Sequence, residues 1–174
     1  MKRLIIIIFA VVLVGSLGMY AFTFTTATTT IGVNAAESDF ATVTSGNITA
    51  PTVFGNFTGT WPTGTLFNIT PNGSYTGDLA VRVDLVNAGQ LIRQYNHLNM
   101  SLTLVDNGGN IVDEQGQIQV LNLQNGSVLF TWANGTGTGP YKVKLSGGGY
   151  KLHPWKSLTG GSVQPQLFLE VTQR

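Results

Sequence analysis

The fold class is decided by the stretch Leu79-Ala80-Val81-Arg82-Val83-Asp84-Leu85. Large apolar residues occupy every second position, and the charged residues Arg82 and Asp84 fall between them. Because successive side chains of a strand point to opposite faces of a sheet, this alternation predicts a strand with one buried face. The polar sequence Asn87-Ala88-Gly89 that follows is typical of a turn.

The same period of two recurs along the chain from residue 40 onward. Further strands are predicted at 40–43, 53–57, 66–69, 98–104, 118–123, 128–132, 141–145 and 167–171. Asn125-Gly126 predicts a hairpin over residues 121–128, and Gly147-Gly148-Gly149 predicts a turn. Residues 89–98 are the only segment with a helical pattern. About eight or nine strands predict an all-β protein with a single β-sandwich, of jelly-roll or immunoglobulin-like topology.

The N-terminus has the pattern of an export signal. Lys2 and Arg3 precede an apolar run that extends to Phe22. Its length fits either a cleaved signal peptide or a hydrophobic helix that anchors the protein in the membrane. Both interpretations place the remainder of the chain outside the cell, since Lys2 and Arg3 stay in the cytoplasm. We expect a signal peptide or anchor at 1–22, a Thr-rich linker or extended segment at 23–36, and the sandwich at 37–174.

Composition excludes several classes of function. Only 10% of the residues are charged, and from residue 37 onward seven Lys or Arg face eight Asp or Glu. A chain without a basic surface is a poor partner for nucleic acid. The absence of cysteine excludes thiol nucleophiles, iron–sulfur clusters and Cys-ligated zinc.

The sequence offers no constellation of catalytic residues. His97 and His153 lack a nucleophile or acid at motif spacing. Asp113-Glu114 does not match a calcium loop and is read as a solvated turn. We therefore expect neither an enzyme nor a cofactor nor a metal site. Trp61 and Trp155, each beside a proline, are candidates for a glycan-binding platform, whereas Trp132 is assigned to the core.

Asn-X-Ser/Thr sequons are more frequent than this composition predicts. They mark candidate glycosylation sites at Asn47, Asn56, Asn68, Asn72, Asn99, Asn125 and Asn134. A glycosylated asparagine faces solvent in an exported protein. Asn99 falls on the outward phase of its predicted strand, between Leu98 and Met100. We expect a glycan-coated surface.

Several short motifs resemble secreted fibre-forming proteins of the TasA and camelysin type, including similar archaeal bundling pilus subunits. They are the opening at 40–48, Pro62-Thr63-Gly64, the strand and corner at 79–91, and the final strand at 166–173. The resemblance implies a jelly-roll subunit whose N-terminal segment completes the sheet of the next subunit. It implies no catalytic residue.

The sequence therefore predicts a structural subunit of an extracellular, glycosylated filament, with other copies of the chain as its partners and the membrane as its partner during export. Residues 28–43 are expected to pair with a neighbouring subunit, because an exposed strand edge is a template for another strand. The predicted contact residues are Thr28, Thr30, Ile31, Val33, Phe40 and Val43. The alternative is an anchored or secreted surface domain that binds glycans or another surface protein.

Overall fold

A computed structural model describes residues 32–35, 40–46, 48, 57–72, 77–133, 136–137, 139–154, 156 and 163–174. These residues form ten strands and one short helix. The elements are β1 (Gly32–Ala35), β2 (Ala41–Ser45), β3 (Thr58–Thr60), β4 (Gly64–Pro71), β5 (Leu79–Leu85), α1 (Ala88–Leu91), β6 (Tyr95–Val105), β7 (Gln119–Asn122), β8 (Ser127–Trp132), β9 (Tyr141–Leu152) and β10 (Gln166–Gln173). The prediction of an all-β protein is confirmed.

The strands form two sheets. The first sheet has the order β1-β10-β5-β8, and the second has the order β2-β4-β9-β6-β7, with β3 paired to β9. Every pairing is antiparallel except that of β1 with β10, which is parallel. The edge strand β1 therefore differs from the other described strands in running parallel to its neighbour.

The core lies between the sheets and follows from the period-two pattern. Leu79, Val81, Val83 and Leu85 of β5 all face inward and are at most 5% exposed. The inner faces of β8, β9 and β10 are apolar in the same way, and their side chains join one buried cluster. Burial of alternate apolar residues on two facing sheets is the main stabilisation of such a fold.

Three local predictions are corrected by the structure. The helix is limited to Ala88–Leu91, and residues 95–98 belong to β6, because Tyr95 and Leu98 are both buried in the core. Residues 121–128 do not form a hairpin, since β7 and β8 lie in different sheets. The tight turn at Gly126, whose φ is 64°, instead carries the chain from one sheet to the other.

The glycine triplet at 147–149 also differs from its prediction. It lies within β9, where the register with β6 shifts between Ser101 and Leu102. Gly148 has a φ of 120°, and a Cβ at this position would lie 2.4 Å from the carbonyl oxygen of Asn99. Glycine is required here because the two backbones approach too closely for a side chain. The triplet therefore continues β9 next to a bulge at Ser146 and does not form a turn.

Candidate assembly site

The sandwich has two margins, each formed where an edge of the first sheet meets an edge of the second. We call the outer edges of β1 and β2 the open margin. We call the outer edges of β7 and β8 the capped margin. Among the described residues, no strand pairs with the outer side of β1, β2, β7 or β8. Such edges present unpaired backbone groups that can accept another strand.

At the open margin, the described pairing of β1 with β10 involves the first four residues of β10. Gly32 to Ala35 are in register with Gln166 to Leu169, and β10 continues to Gln173. The chain leaves β1 for β2, which belongs to the other sheet. Residues 36–39, which make this connection, lie outside the described residues.

Polar side chains form hydrogen bonds with the backbone at the beginning of β10 and just before it. Asn87 is buried, its Nδ2 donates to the carbonyl of Gln164 at 2.8 Å, and its Oδ1 accepts from the N–H of Gln166 at 2.9 Å. The hydroxyl of Tyr95 donates to the carbonyl of Val163 at 3.1 Å. Burial, with a smaller contribution from Tyr150, raises the pKa of Tyr95 to about 12. Side-chain hydrogen bonds therefore hold the segment that leads into β10.

At the capped margin, polar groups of loops occupy the edges. The Oδ1 of Asp113 accepts from the N–H of Thr131 at 2.9 Å, and the N–H of Glu114 donates to the carbonyl of Thr131 at 2.8 Å. Both backbone groups of Thr131 on the outer edge of β8 are thus satisfied. Asp113 is only 5% exposed, so the prediction that this pair is a solvated turn is wrong for Asp113.

The predicted contact residues fall partly on the open margin. Thr28, Thr30 and Ile31 lie outside the described residues, and Val33 is in β1 in register with Leu167. Phe40 packs against the core, and Val43 of β2 is buried in register with Ile69 of the same chain. In the single chain, both strands of residues 28–43 therefore pair within the chain. Alternation of Ala41 and Val43 with Thr42 and Thr44 explains why β2 belongs to its own sandwich.

The candidate glycan platform is not formed by Trp61. This side chain is 3% exposed and packs with its ring centroid 5.0 Å from that of Tyr150 and 6.4 Å from that of Tyr95. The prediction that Trp61 lies on the surface is wrong, because the residue completes an aromatic cluster in the core. Trp155 lies outside the described residues, and Trp132 is buried as predicted.

Four of the seven sequon asparagines belong to the described residues. Asn68, Asn72 and Asn99 are partly exposed, and Asn125 is exposed, whereas Asn47, Asn56 and Asn134 lie outside the description. The outward position of Asn99 is confirmed: it sits on β6 between two buried residues, Leu98 and Met100. Its Oδ1 accepts from the N–H of Gly149 at 2.6 Å, which leaves Nδ2, the atom that would carry a glycan, outside this bond.

Both histidines belong to the described residues. His153 contacts the carbonyl oxygen of Ile92 through Nε2 at 3.0 Å, and His97 is exposed on β6. In the described part of the chain, no group of three His, Asp or Glu side chains could hold a metal ion. No helix among the described residues is long and apolar enough to span a bilayer, and residues 1–22 are not among them.

No protein-family model matches the chain, and no curated protein matches it.

Proposed function

We propose that this chain is a structural subunit of an extracellular filament, assembled by donation of its N-terminal strand to a neighbouring copy. The observation that carries the proposal is the parallel pairing of β1 with β10, at the edge of a sheet whose other described pairings are antiparallel. In its own chain, β1 pairs with Gln166 to Leu169 and then leaves for the other sheet. A strand donated by a neighbour is free of this constraint.

A donated strand in the register of β1 would place Gly32 to Ala35 of one copy opposite Gln166 to Leu169 of the next. Each backbone hydrogen bond of this pairing contributes about 0.5–1.5 kcal/mol. Exchange of an identical edge strand between copies also preserves the bonds of β1 itself, which makes it a low-cost route to association.

The strand order supports a jelly-roll topology. If the two additional strands β2 and β3 are left out, the remaining eight follow the orders β1-β10-β5-β8 and β4-β9-β6-β7. These interleaved orders are those of a two-sheet jelly roll, in which sequential strands repeatedly cross between the sheets. In a jelly roll the first and last strands are antiparallel neighbours, whereas β1 runs parallel to β10. The direction of β1 is therefore the feature that differs from a jelly roll. We expect such a difference for a strand that is exchanged between copies.

Export and glycosylation belong to the same proposal. Lys2, Arg3 and the apolar run behind them support export, and the low content of charged residues suits a surface built from hydroxyl and amide groups. Asn68, Asn72 and Asn99 all lie at partly exposed positions of the sandwich, which supports their role as glycan acceptors.

Electron microscopy of two truncated proteins tests the filament. A chain lacking residues 1–22 keeps β1 and should form filaments. A chain lacking residues 1–35 has lost β1 but keeps β2 and the core, and it should stay a folded monomer by circular dichroism and sedimentation. Single particles of the first protein at high concentration would refute the filament, and filaments of the second would refute donation of β1.

A further inference from the structure

The side chain of Asn125 lies along the outer edge of β7. Its Oδ1 accepts from the N–H of Asn122 at 2.8 Å, and its Nδ2 donates to the carbonyl of Val120 at 2.6 Å. These two backbone groups are two residues apart, so they point to the same side of the strand. Because the N–H of Asn122 is used by Asn125, that side faces away from β6.

The turn after β7 holds this amide in place. The Oδ1 of Asn122 accepts from the N–H groups of Gln124 at 2.8 Å and of Asn125 at 2.9 Å. The N–H of Gly126 donates to the carbonyl of Asn122 at 3.1 Å. Both backbone groups of Asn122 on the outer edge of β7 are therefore satisfied by the turn. The amide of Asn125 occupies the place that a peptide group of another strand would take.

We propose that Asn125 closes the edge of β7 against a second copy of the chain. The edge needs closure, since Ile118 is 54% exposed and Val120 is 43% exposed beside it. An apolar strand edge without a cap is a template for edge-to-edge association. With β8 also capped at Thr131, strand addition is directed to the open margin. Closure of β7 is independent of the filament, and only this direction of assembly rests on the proposed function.

The same geometry separates Asn125 from the other sequons. The side-chain amide of Asn125 accepts through Oδ1 and donates through Nδ2 to the same strand edge. It therefore donates the Nδ2 hydrogen that lies on the same side of the Cγ–Nδ2 bond as Oδ1. A glycan on Nδ2 makes a secondary amide, whose preferred trans form places the sugar at that position. Glycan and cap therefore exclude each other in the folded chain. Asn125 stays unmodified when the domain is folded, although it lies in a sequon.

Disulfide trapping tests the closure at the edge itself. The chain has no cysteine, so Val120→Cys in the full-length protein provides a single reporter on β7. With Asn125 intact, mild oxidation should leave the chains unlinked through residue 120. Adding Asn125→Ala or the isosteric Asn125→Asp removes the donor to Val120 and should increase the disulfide-linked dimer about tenfold. Asn107→Ala, at an exposed turn elsewhere, is the matched control and should not increase the amount of disulfide-linked dimer.

Equal cross-linking in all four proteins would overturn the proposal. Hydrogen exchange of the protein with its native Asn125 gives a second test that needs no substitution at this position. The amide of Asn122 should be protected, and exchange at the rate of an unbonded amide would also overturn the cap. Peptide mass spectrometry of protein from its natural host should find Asn125 without a glycan. Because the cysteine reports on β7 alone, loss of the filament would not imitate any of these results.

Discussion

The two margins of the sandwich differ in what lies against their exposed strand edges. Each consists of sheet edges with backbone groups that could accept a strand. At the capped margin, Asn125 covers β7, and Asp113 with Glu114 covers the end of β8. At the open margin, β1 pairs in parallel with Gln166 to Leu169 of β10. We therefore propose that strand exchange takes place at the open margin.

The largest expected effect on the free energy of unfolding comes from a substitution on the buried face of β7, at the capped margin. Leu121 of β7 is fully buried, whereas its neighbour Val120 is 43% exposed. Leu121→Ala should lower the free energy of unfolding by about 2–5 kcal/mol, because it leaves a cavity in the core. Val120→Ala should change it by less than about 0.5 kcal/mol. Urea unfolding of both variants measures the two effects. Similar losses for both would show that β7 is not anchored by its inner face.

Anchoring of the open margin gives a smaller effect that depends on pH. Tyr95 holds the segment before β10, and burial raises its pKa to about 12. Above pH 10 the unfolded chain loses the phenol proton while the folded chain keeps it. Unfolding therefore becomes more favourable as the pH rises from about 10 to about 12, by up to about 2–3 kcal/mol. Below pH 10 this residue should cause no change.

Tyr95→Phe is the control for the alkaline effect. This variant has no phenol to ionise, so its loss of stability between about pH 10 and 12 should be smaller. Burial raises the pKa of Tyr150 as well, and a residual slope should remain. Chemical denaturation at each pH measures both curves. Parallel curves for the two proteins would exclude Tyr95 as the titrating group.

The strands were predictable from the sequence wherever one face is buried. Residues 79–85 carry large apolar residues at every second position, and the structure places β5 there with those four side chains facing inward. The prediction failed where tertiary contacts decide the conformation. Asn125-Gly126 has the same composition as a hairpin turn, but the turn joins two sheets. Trp61 beside Pro62 carries no local signal that it will pack on Tyr150.

The candidate site was only partly visible in the sequence. A Thr-rich segment with little charge suggested a donated strand, but periodicity does not reveal where its partner edge lies or that β1 runs parallel to β10. The cap at Asn125 was also missed, because a side chain that returns to a strand edge leaves no periodic pattern. The spacing of Asn122, Asn125 and Gly126 around a tight turn was the available signal.

Donation of β1 is tested most directly by a disulfide between β1 and β10. Asn34 and Phe168 are register partners, and the chain has no other cysteine to interfere. A protein with Asn34→Cys and Phe168→Cys should be oxidised under assembly conditions and separated on a non-reducing gel. Donation predicts a ladder of covalently linked chains, which reduction converts to monomer. A product that remains monomeric, with its disulfide inside one chain, would show that β1 pairs with its own β10 and would contradict the account.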